Sequence, residues 1–232
     1  MRAVAVVPAR MAASRLPGKP LADIGGEPMV VRVARRLRQV PGLRVVVASG
    51  DTPILSACVR AGVETVETPM ELPSGTHRVG HAVGVLGAGD LPVLNVQGDE
   101  PFVEAESVET LLAAVGQGAQ IATLAAPFVG DPSARERVKV RVDDAGQAVA
   151  FSREDLGAPR LQHLGMYAFG AGVLPLLLSL SETEGERRER LEQLRWLEHG
   201  HPIHVRCVRR APLAVDTPDD LRAARAAVAR RL

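Results

Sequence analysis

The chain has only two cysteines, Cys58 and Cys207, far apart and outside any C-x-x-C pair, which leaves neither a disulfide framework nor a zinc knuckle. Two reduced thiols fit a cytosolic protein. Aromatic residues make up 3% of the chain and the formal net charge is +1, so there is neither a stacking platform nor a basic stripe for nucleic acid. No apolar run approaches the roughly 18 residues a membrane helix needs, and no charged segment followed by an apolar one opens the sequence. The expectation is therefore a cytoplasmic protein that binds neither membrane nor nucleic acid. Lysine is almost missing as well: of 28 basic residues only Lys19 and Lys139 are not arginine. Both common nucleotide fingerprints are absent. A Walker A loop needs Gly and then Ser or Thr where Ala13 and Pro20 stand, and no G-x-G-x-x-G follows a strand, so a dinucleotide cofactor has no support.

Ordinary proportions of apolar (46%) and charged (24%) residues in 232 residues suit one large α/β domain, or a main domain carrying a small excursion, either long enough to bury a substantial core. Val4 to Val7 reads as a first strand buried on both faces. Apolar spacing then predicts a helix over 29–40, a strand over 43–48, a helix capped by Thr52-Pro53, a strand over 63–66, a helix over 76–86 and a strand over 91–96. Such alternation implies crossover connections and a mostly parallel sheet. After a helix near 107–115 and a strand over 121–127 the pattern changes, because Val138 to Val142 and Gln147 to Ser152 flank Asp143-Asp144-Ala145-Gly146, which is hairpin chemistry. A strand over 164–169 and an apolar helix over 173–180 follow. Thr183 and Glu186 form a capping box for a helix carrying Leu191, Leu194 and Leu197, closed by Gly200. A strand over 202–208 and a helix opened by Thr217-Pro218 complete the chain.

Open α/β sheets bind ligands at the carboxyl ends of their strands, and the loop after the first strand is the most distinctive stretch of this sequence. Arg10, Arg15 and Lys19 place three cations on a segment stiffened by Pro8, Pro17 and Pro20 and loosened at Gly18. That combination suits a triphosphate, and a lysine kept here in a chain that otherwise uses arginine supplies a compact point charge rather than a planar fork.

Asp99, in a turn at the end of a buried strand, is well sited to hold Mg²⁺ beside those phosphates, and Asp216, just before the Thr217 cap, could share the ion. Equally, Asp99 can be a turn residue and Asp216 a partner of the helix dipole. Ser74-Gly75-Thr76 opens a helix, so its amides could grip a base or ribose or be satisfied by an ordinary N-cap at Ser74 or Thr76, while Arg78 could meet an anionic substrate. His163 and Tyr167 share one face of a strand and could bind sugar hydroxyls or simply belong to the core, and Glu192 and Gln193 would pass as helix surface.

Seven blocks in series, Pro8-Ala9-Arg10 with Ser14 to Leu21, Ser74-Gly75-Thr76, Asn95 to Pro101, Phe151-Ser152-Arg153, His163 to Tyr167, Leu191 to Arg195 and Val215 to Pro218, closely resemble the 3-deoxy-manno-octulosonate cytidylyltransferases, also called CMP-Kdo synthetases. The resemblance runs from end to end. It implies a Rossmann-like nucleotidyltransferase fold over 1–232, with helices on both faces of the sheet and a small antiparallel excursion at about 130–160 used in homodimerisation. It also implies transfer of CMP from CTP to the anomeric hydroxyl of Kdo, with pyrophosphate released, for lipopolysaccharide biosynthesis. Arg10, Arg15 and Lys19 would hold the triphosphate, Ala9, Ser74 and Gly75 would help place the cytidine, and Asp99 and Asp216 would ligate Mg²⁺. Catalysis would fall to Lys19, Arg10 and Asp99, and the sugar acid to Arg78, Gln97, Arg153, His163, Tyr167, Glu192 and Gln193. Two departures stand out: a shortened stretch between Arg153 and His163, and Ser49-Gly50-Asp51 in place of the family's common Thr-Asp. Rival readings are a cytidylyltransferase for sialic-type acids, a spore-coat polysaccharide nucleotidyltransferase, or a nucleotide-binding regulator without turnover.

Overall fold

The computed structural model describes residues 2–12 and 15–230; Ala13 and Ser14, within the cationic loop, lie outside the described residues. In chain order the elements are β1 (Ala3–Pro8), a 3-10 turn (Lys19–Leu21), α1 (Met29–Leu37), β2 (Leu43–Ser49), α2 (Thr52–Arg60), β3 (Glu64–Glu67), α3 (Gly75–Val85), β4 (Val93–Asn95) and α4 (Ala105–Gly116). There follow β5 (Ile121–Pro127), β6 (Lys139–Val142), β7 (Ala148–Ser152), β8 (Leu161–Phe169), α5 (Val173–Ser179), α6 (Glu184–Glu189), α7 (Gln193–Glu198), β9 (Ile203–Cys207) and α8 (Pro218–Ala229). The fold is the α/β class expected, with mostly parallel strands and a few antiparallel pairs. Two compact units are present, one built from 1–108 with 212–232 and the other from 109–211.

In the first unit β1 is the middle of the sheet. It pairs in parallel with β2 on one side, which pairs with β3, and with β4 on the other. The chain therefore winds outward from β1 to β3 and then reverses to lay down β4, so the carboxyl ends of β1 and β4 flank a topological switch point, the crevice where such sheets take ligands. Ala3 to Val7 are fully buried; each buried valine contributes about 1.5–3 kcal/mol, which fixes the strand that carries the cationic loop. Beneath the returning helix α8, Ile24, Met29, Phe102, Val215 and Leu221 form a separate apolar cluster that seats the chain just before Asp216.

In the second unit β5 pairs in parallel with β9 and in antiparallel fashion with β8, and the hairpin β6–β7 extends from β8 through β6. The β6–β7 turn is the expected one, with Asp143 Oδ1 accepting from Ala145 N and Gln147 N at 3.0 and 2.8 Å. The β5–β8 ladder shifts register between Thr123, opposite Tyr167, and Leu124, opposite Leu164, so Gly165 and Met166 have no residue facing them on β5.

Three local expectations need correction. Thr52 does not cap α2: it is the first helical residue, and Asp51 occupies the cap position. The helix expected from Thr183 to Gly200 is two helices, interrupted at Arg190, whose φ of 55° is left-handed. Gln193, read as helix surface, opens the second of these and is buried at 5% exposure, so it faces the interior of its unit.

Candidate active site

A cavity of about 400 Å³ opens at the switch point. Its walls include Ala9 and Arg10 from the end of β1, Arg15 and Lys19 from the loop, Gln97 and Asp99 from the end of β4, and Asp216 from the entry to α8. These residues are far apart in sequence, and the backbone shows how they meet. Gly98 passes so close to β1 that a Cβ there would lie 3.3 Å from the Pro8 carbonyl oxygen, so glycine lets the β4 turn press against β1 and set Asp99 at the rim. Val215 N donates to Asp99 O at 3.0 Å, tying the entry to α8 to the same turn. Gly18, with φ of 71°, turns the loop back so that Lys19 enters the cavity.

Lys19 is the centre of the charge arrangement. Its Nζ lies 2.6 Å from Asp99 Oδ2 and 3.0 Å from Asp216 Oδ1, and Arg15 Nη2 reaches the same Asp216 oxygen at 3.2 Å. Two carboxylates contributed by distant segments thus stand on one ammonium, separated by no more than the sum of those two short distances. Burial works against the lysine's charge, but attraction and hydrogen bonding from Asp99, then Asp216, outweigh it and hold its pKa above the usual value. Behind them Glu100 is 7% exposed with its Oε2 unpartnered among the described residues. Burial first, then the charges of Asp99 and Asp216, push its carboxyl up to about 8.

This concentration of acid fits a divalent cation. Asp99 and Asp216 present two carboxylates to one cavity, and the buried Glu100 beside them keeps an unpartnered oxygen. Yet among the described residues no three carboxylate, imidazole or thiol groups are close enough to cage a metal alone. A pair of carboxylates that leaves the rest of the shell open is the donor set of Mg²⁺ bound together with phosphate oxygens and water, not of a structural metal.

The remaining residues of this unit support the cavity in different ways. Ser74 is the N-cap of α3, accepting from His77 N at 3.2 Å; Ser74 and Gly75 do not line the cavity itself, although a Cβ on Gly75 would sit 3.5 Å from Pro8 Cγ, at the end of β1. Gln97 donates to Asn95 Oδ1 at 3.2 Å and Asn95 to Thr76 Oγ1 at 3.3 Å, a short relay that orients the Gln97 amide. Arg78 is 4% exposed and directs its guanidinium at Thr68 Oγ1, at Pro69 O (3.1 Å) and at Met70 O (3.3 Å), so in this structure it organises the 68–70 loop. Burial, and secondarily the charge of Arg10, lower its pKa against the pull of Asp51.

Sequence reasoning left Asp51 without a role, and the structure gives it one. Its Oδ2 accepts from Met11 N at 3.0 Å, so the end of β2 holds the start of the cationic loop. Gly50 beside it is required by crowding, since a Cβ there would lie 2.8 Å from Thr68 O.

The second unit gathers the other named residues. His163 and Tyr167 lie on β8 with ring centroids 5.5 Å apart; Phe151 meets His163 edge-on at 5.0 Å, and Trp196 meets Tyr167 edge-on at 5.1 Å. Phe169 stacks on Tyr167 at 6.0 Å, so four of the chain's six Phe, Tyr and Trp residues form this one cluster. Burial pushes the His163 pKa down to about 3. Burial, then the negative charge of Glu192, push the Tyr167 hydroxyl well up, which places Glu192 within electrostatic reach of the phenol. Arg153 is turned to α6, its Nε donating to Glu189 O at 2.9 Å and its backbone N to Glu189 Oε2 at 3.0 Å.

The cytidylyltransferase family profile matches residues 4–203. A 3-deoxy-manno-octulosonate cytidylyltransferase of Porphyromonas gingivalis is 40% identical over 94% of this chain and 93% of its own length, and one of Azorhizobium caulinodans is 44% identical over 97% and 94%. Among solved structures, a CMP:2-keto-3-deoxy-manno-octonic acid synthetase complexed with CTP superposes with a TM-score of 0.93 at 36% identity, covering all of both chains. A cytidylyltransferase from Leptospira borgpetersenii, at 15% identity and a TM-score of 0.68, shares the fold. With its paired acids and cationic loop at the switch point and these relatives over its whole length, the chain belongs to the cytidylyltransferases, within the 3-deoxy-manno-octulosonate cytidylyltransferase family.

Proposed function

We propose that this protein transfers CMP from CTP to the anomeric hydroxyl of Kdo, giving CMP-Kdo and pyrophosphate for lipopolysaccharide biosynthesis. The observation that carries the reading is the meeting of Asp99 and Asp216 on Lys19 beside Arg10 and Arg15 at the switch point. A regulator that only bound nucleotide would need the cations; two carboxylates brought together from distant segments add a place for a metal and therefore for turnover.

The reaction is an in-line displacement in which the sugar hydroxyl attacks the α-phosphorus and pyrophosphate leaves. Arg10, Arg15 and Lys19 hold the triphosphate, and Arg10 and Lys19 offset the charge that develops on the phosphate oxygens. Lys19 can turn from the carboxylates to the substrate because both alternatives are anionic. Asp99 and Asp216 would hold Mg²⁺, which when bound would draw charge from phosphate oxygens and lower the pKa of the attacking hydroxyl. Ala9, Ser74 and Gly75 help place the cytidine. The residues assigned to the sugar acid are Gln97 and Arg78 in the first unit and Arg153, His163, Tyr167, Glu192 and Gln193 in the second. No described helix is long and apolar enough to cross a membrane, and a cytoplasmic site of action agrees with the substrates. We further propose a homodimer formed through the β6–β7 hairpin, where Val149, 46% exposed on β7, offers an apolar side chain.

Pyrophosphate release tests the reading. It should require Kdo together with CTP and Mg²⁺, with sialic acid and sugar-free mixtures near background. In the same assay Asp99→Asn should lose about 10²-fold or more in turnover, on the scale of removing one electrostatic stabiliser. Near-normal turnover by that variant would contradict the metal assignment, and release without sugar would contradict the transfer.

A further inference from the structure

The irregularity in the β5–β8 ladder lies where the sugar acid is proposed to bind. Gly165 and Met166, which have no residue opposite them, sit between His163 and Tyr167, and bulges of this kind re-aim side chains next to active sites. Thr123, facing the irregularity from β5, is fully buried. Its hydroxyl donates to Met166 O at 2.8 Å, with Leu164 O at 3.3 Å, and lies 2.9 Å from His163 Nε2.

Those three distances determine where the imidazole carries its proton. A threonine hydroxyl has one hydrogen, and carbonyl oxygens only accept. With that hydrogen directed at Met166 O, the Thr123 oxygen faces His163 with lone pairs, so Nε2 must be the N–H that donates to it. Burial pushes the imidazole pKa down to about 3, so the ring carries no second proton at neutral pH. Nδ1 is then an unprotonated acceptor. Among the described residues Nδ1 has no hydrogen-bond partner, and His163 as a whole keeps 8% of its surface exposed. The ring has little freedom to turn: His163 N donates to Val138 O at 2.8 Å, and the rings of Phe151 and Tyr167 pack against it.

We propose that Thr123 is a positioning residue, locking His163 as the neutral tautomer protonated at Nε2 so that Nδ1 accepts a hydrogen bond from a hydroxyl of the polyhydroxylated acid substrate. The inference rests on the proposed function for the identity of that substrate. A neutral acceptor at this point distinguishes a hydroxyl from a carboxylate: it welcomes the donor and repels the anion. It therefore orients the sugar acid with its hydroxyl-bearing portion toward β8. The bulge and the threonine act as one device, since the same oxygen satisfies the carbonyl that the register shift leaves exposed and fixes the ring beside it.

The experiment pairs a spectroscopic and a kinetic reading. In ¹⁵N-histidine-labelled protein at neutral pH, the His163 resonances, assigned by their loss in His163→Gln, should show Nε2 in the N–H range and Nδ1 in the unprotonated range. In Thr123→Val the hydroxyl is gone, and the tautomer preference should weaken. KM for Kdo should rise about tenfold, the effect of one lost hydrogen bond, with KM for CTP little changed. Thr123→Ser should restore both readings. A wild-type spectrum with the proton on Nδ1 overturns the inference whatever the kinetics, and so does a Thr123→Val variant that is folded but keeps the parent KM for Kdo. Absence of any Kdo-dependent turnover in the wild-type protein would refute the proposed function instead, and the tautomer spectrum distinguishes the two failures.

Discussion

Both lysines of this arginine-rich chain are largely withdrawn from solvent and engaged through Nζ. Lys19 holds Asp99 and Asp216; Lys139, 1% exposed, donates to Ala134 O at 2.7 Å and Arg153 O at 2.9 Å and lies 5.3 Å from the Phe128 ring centroid. A compact ammonium on a flexible stem fits places where a planar fork would not, which accounts for lysine at these two positions. Lys19→Met should lower turnover by about 10²-fold or more. It should also lower the melting temperature of the metal-free protein, because two neighbouring carboxylates lose the charge between them. Mg²⁺ should then recover more of that melting temperature in the variant than it adds in the parent, as scanning fluorimetry would show; equal Mg²⁺ effects would count against a shared ion. The thiols make a contrasting residue-scale case. Cys58 is fully buried, with burial pushing its pKa up to about 11, whereas Cys207 is exposed. Since the thiolate is the reactive form, a disulfide reagent at pH 8 should titrate one thiol per native chain and two after unfolding.

Elements, rather than single residues, decide where the second acid of the site stands. The Thr217 side chain caps α8, and Asp220 Oδ2 accepts from Asp216 N at 3.1 Å, Thr217 N at 2.9 Å and Thr217 Oγ1 at 2.8 Å. The capping box therefore also anchors the backbone of a proposed metal ligand. Asp220→Ala should cost about 1 kcal/mol of stability, as lost caps do, and should weaken binding of the Mg²⁺–CTP pair several-fold by calorimetry; a pure stability loss with unchanged binding would separate the cap from the site. This cap was legible in the sequence, because Thr217 and Asp220 stand at the spacing a helix start demands. The same holds for the strand–helix alternation through β5 and for the β6–β7 turn, all written in local periodicity. The break at Arg190 was not legible: the cap at Thr183 and the helical spacing of Leu191, Leu194 and Leu197 read as one continuous helix, and a left-handed arginine has no sequence signature. Nor were the roles of Asp51 and Thr123, since each acts on a partner 40 residues away, Met11 and His163, through contacts that local pattern cannot reveal. Asp99 and Asp216 could be named, as each ends a strand-like run or opens a helix, but their meeting on Lys19 spans 80 and 197 residues and is a property of the sheet order.

At the scale of the whole molecule, the proposed substrates draw on the two units unequally. Every residue assigned to the triphosphate or the metal belongs to the unit built from 1–108 and 212–232, as do Arg78 and Gln97 of the sugar-acid set, while Arg153, His163, Tyr167, Glu192 and Gln193 belong to 109–211. Sequence order hides this division, because the first unit is completed only when the chain returns through Val215 and α8. The division has a consequence for how ligands order the protein. Charge neutralisation of the crowded acids and cations by CTP and Mg²⁺ should restrain the segments that carry them, and amide hydrogen exchange reports such restraint as slower opening. Exchange should therefore slow at 9–12, 15–21, 97–101 and 214–217 when CTP and Mg²⁺ are added. Further addition of a non-reactive Kdo analogue should extend protection to 161–167 and 190–194. CTP with a chelator should protect the cationic loop but much less of 97–101 and 214–217, because without the cation the nucleotide's phosphates and the two carboxylates repel. Full protection of both acidic segments in the chelated sample would mean that the cations alone seat the triphosphate, and that Asp99 and Asp216 serve Lys19 rather than a metal.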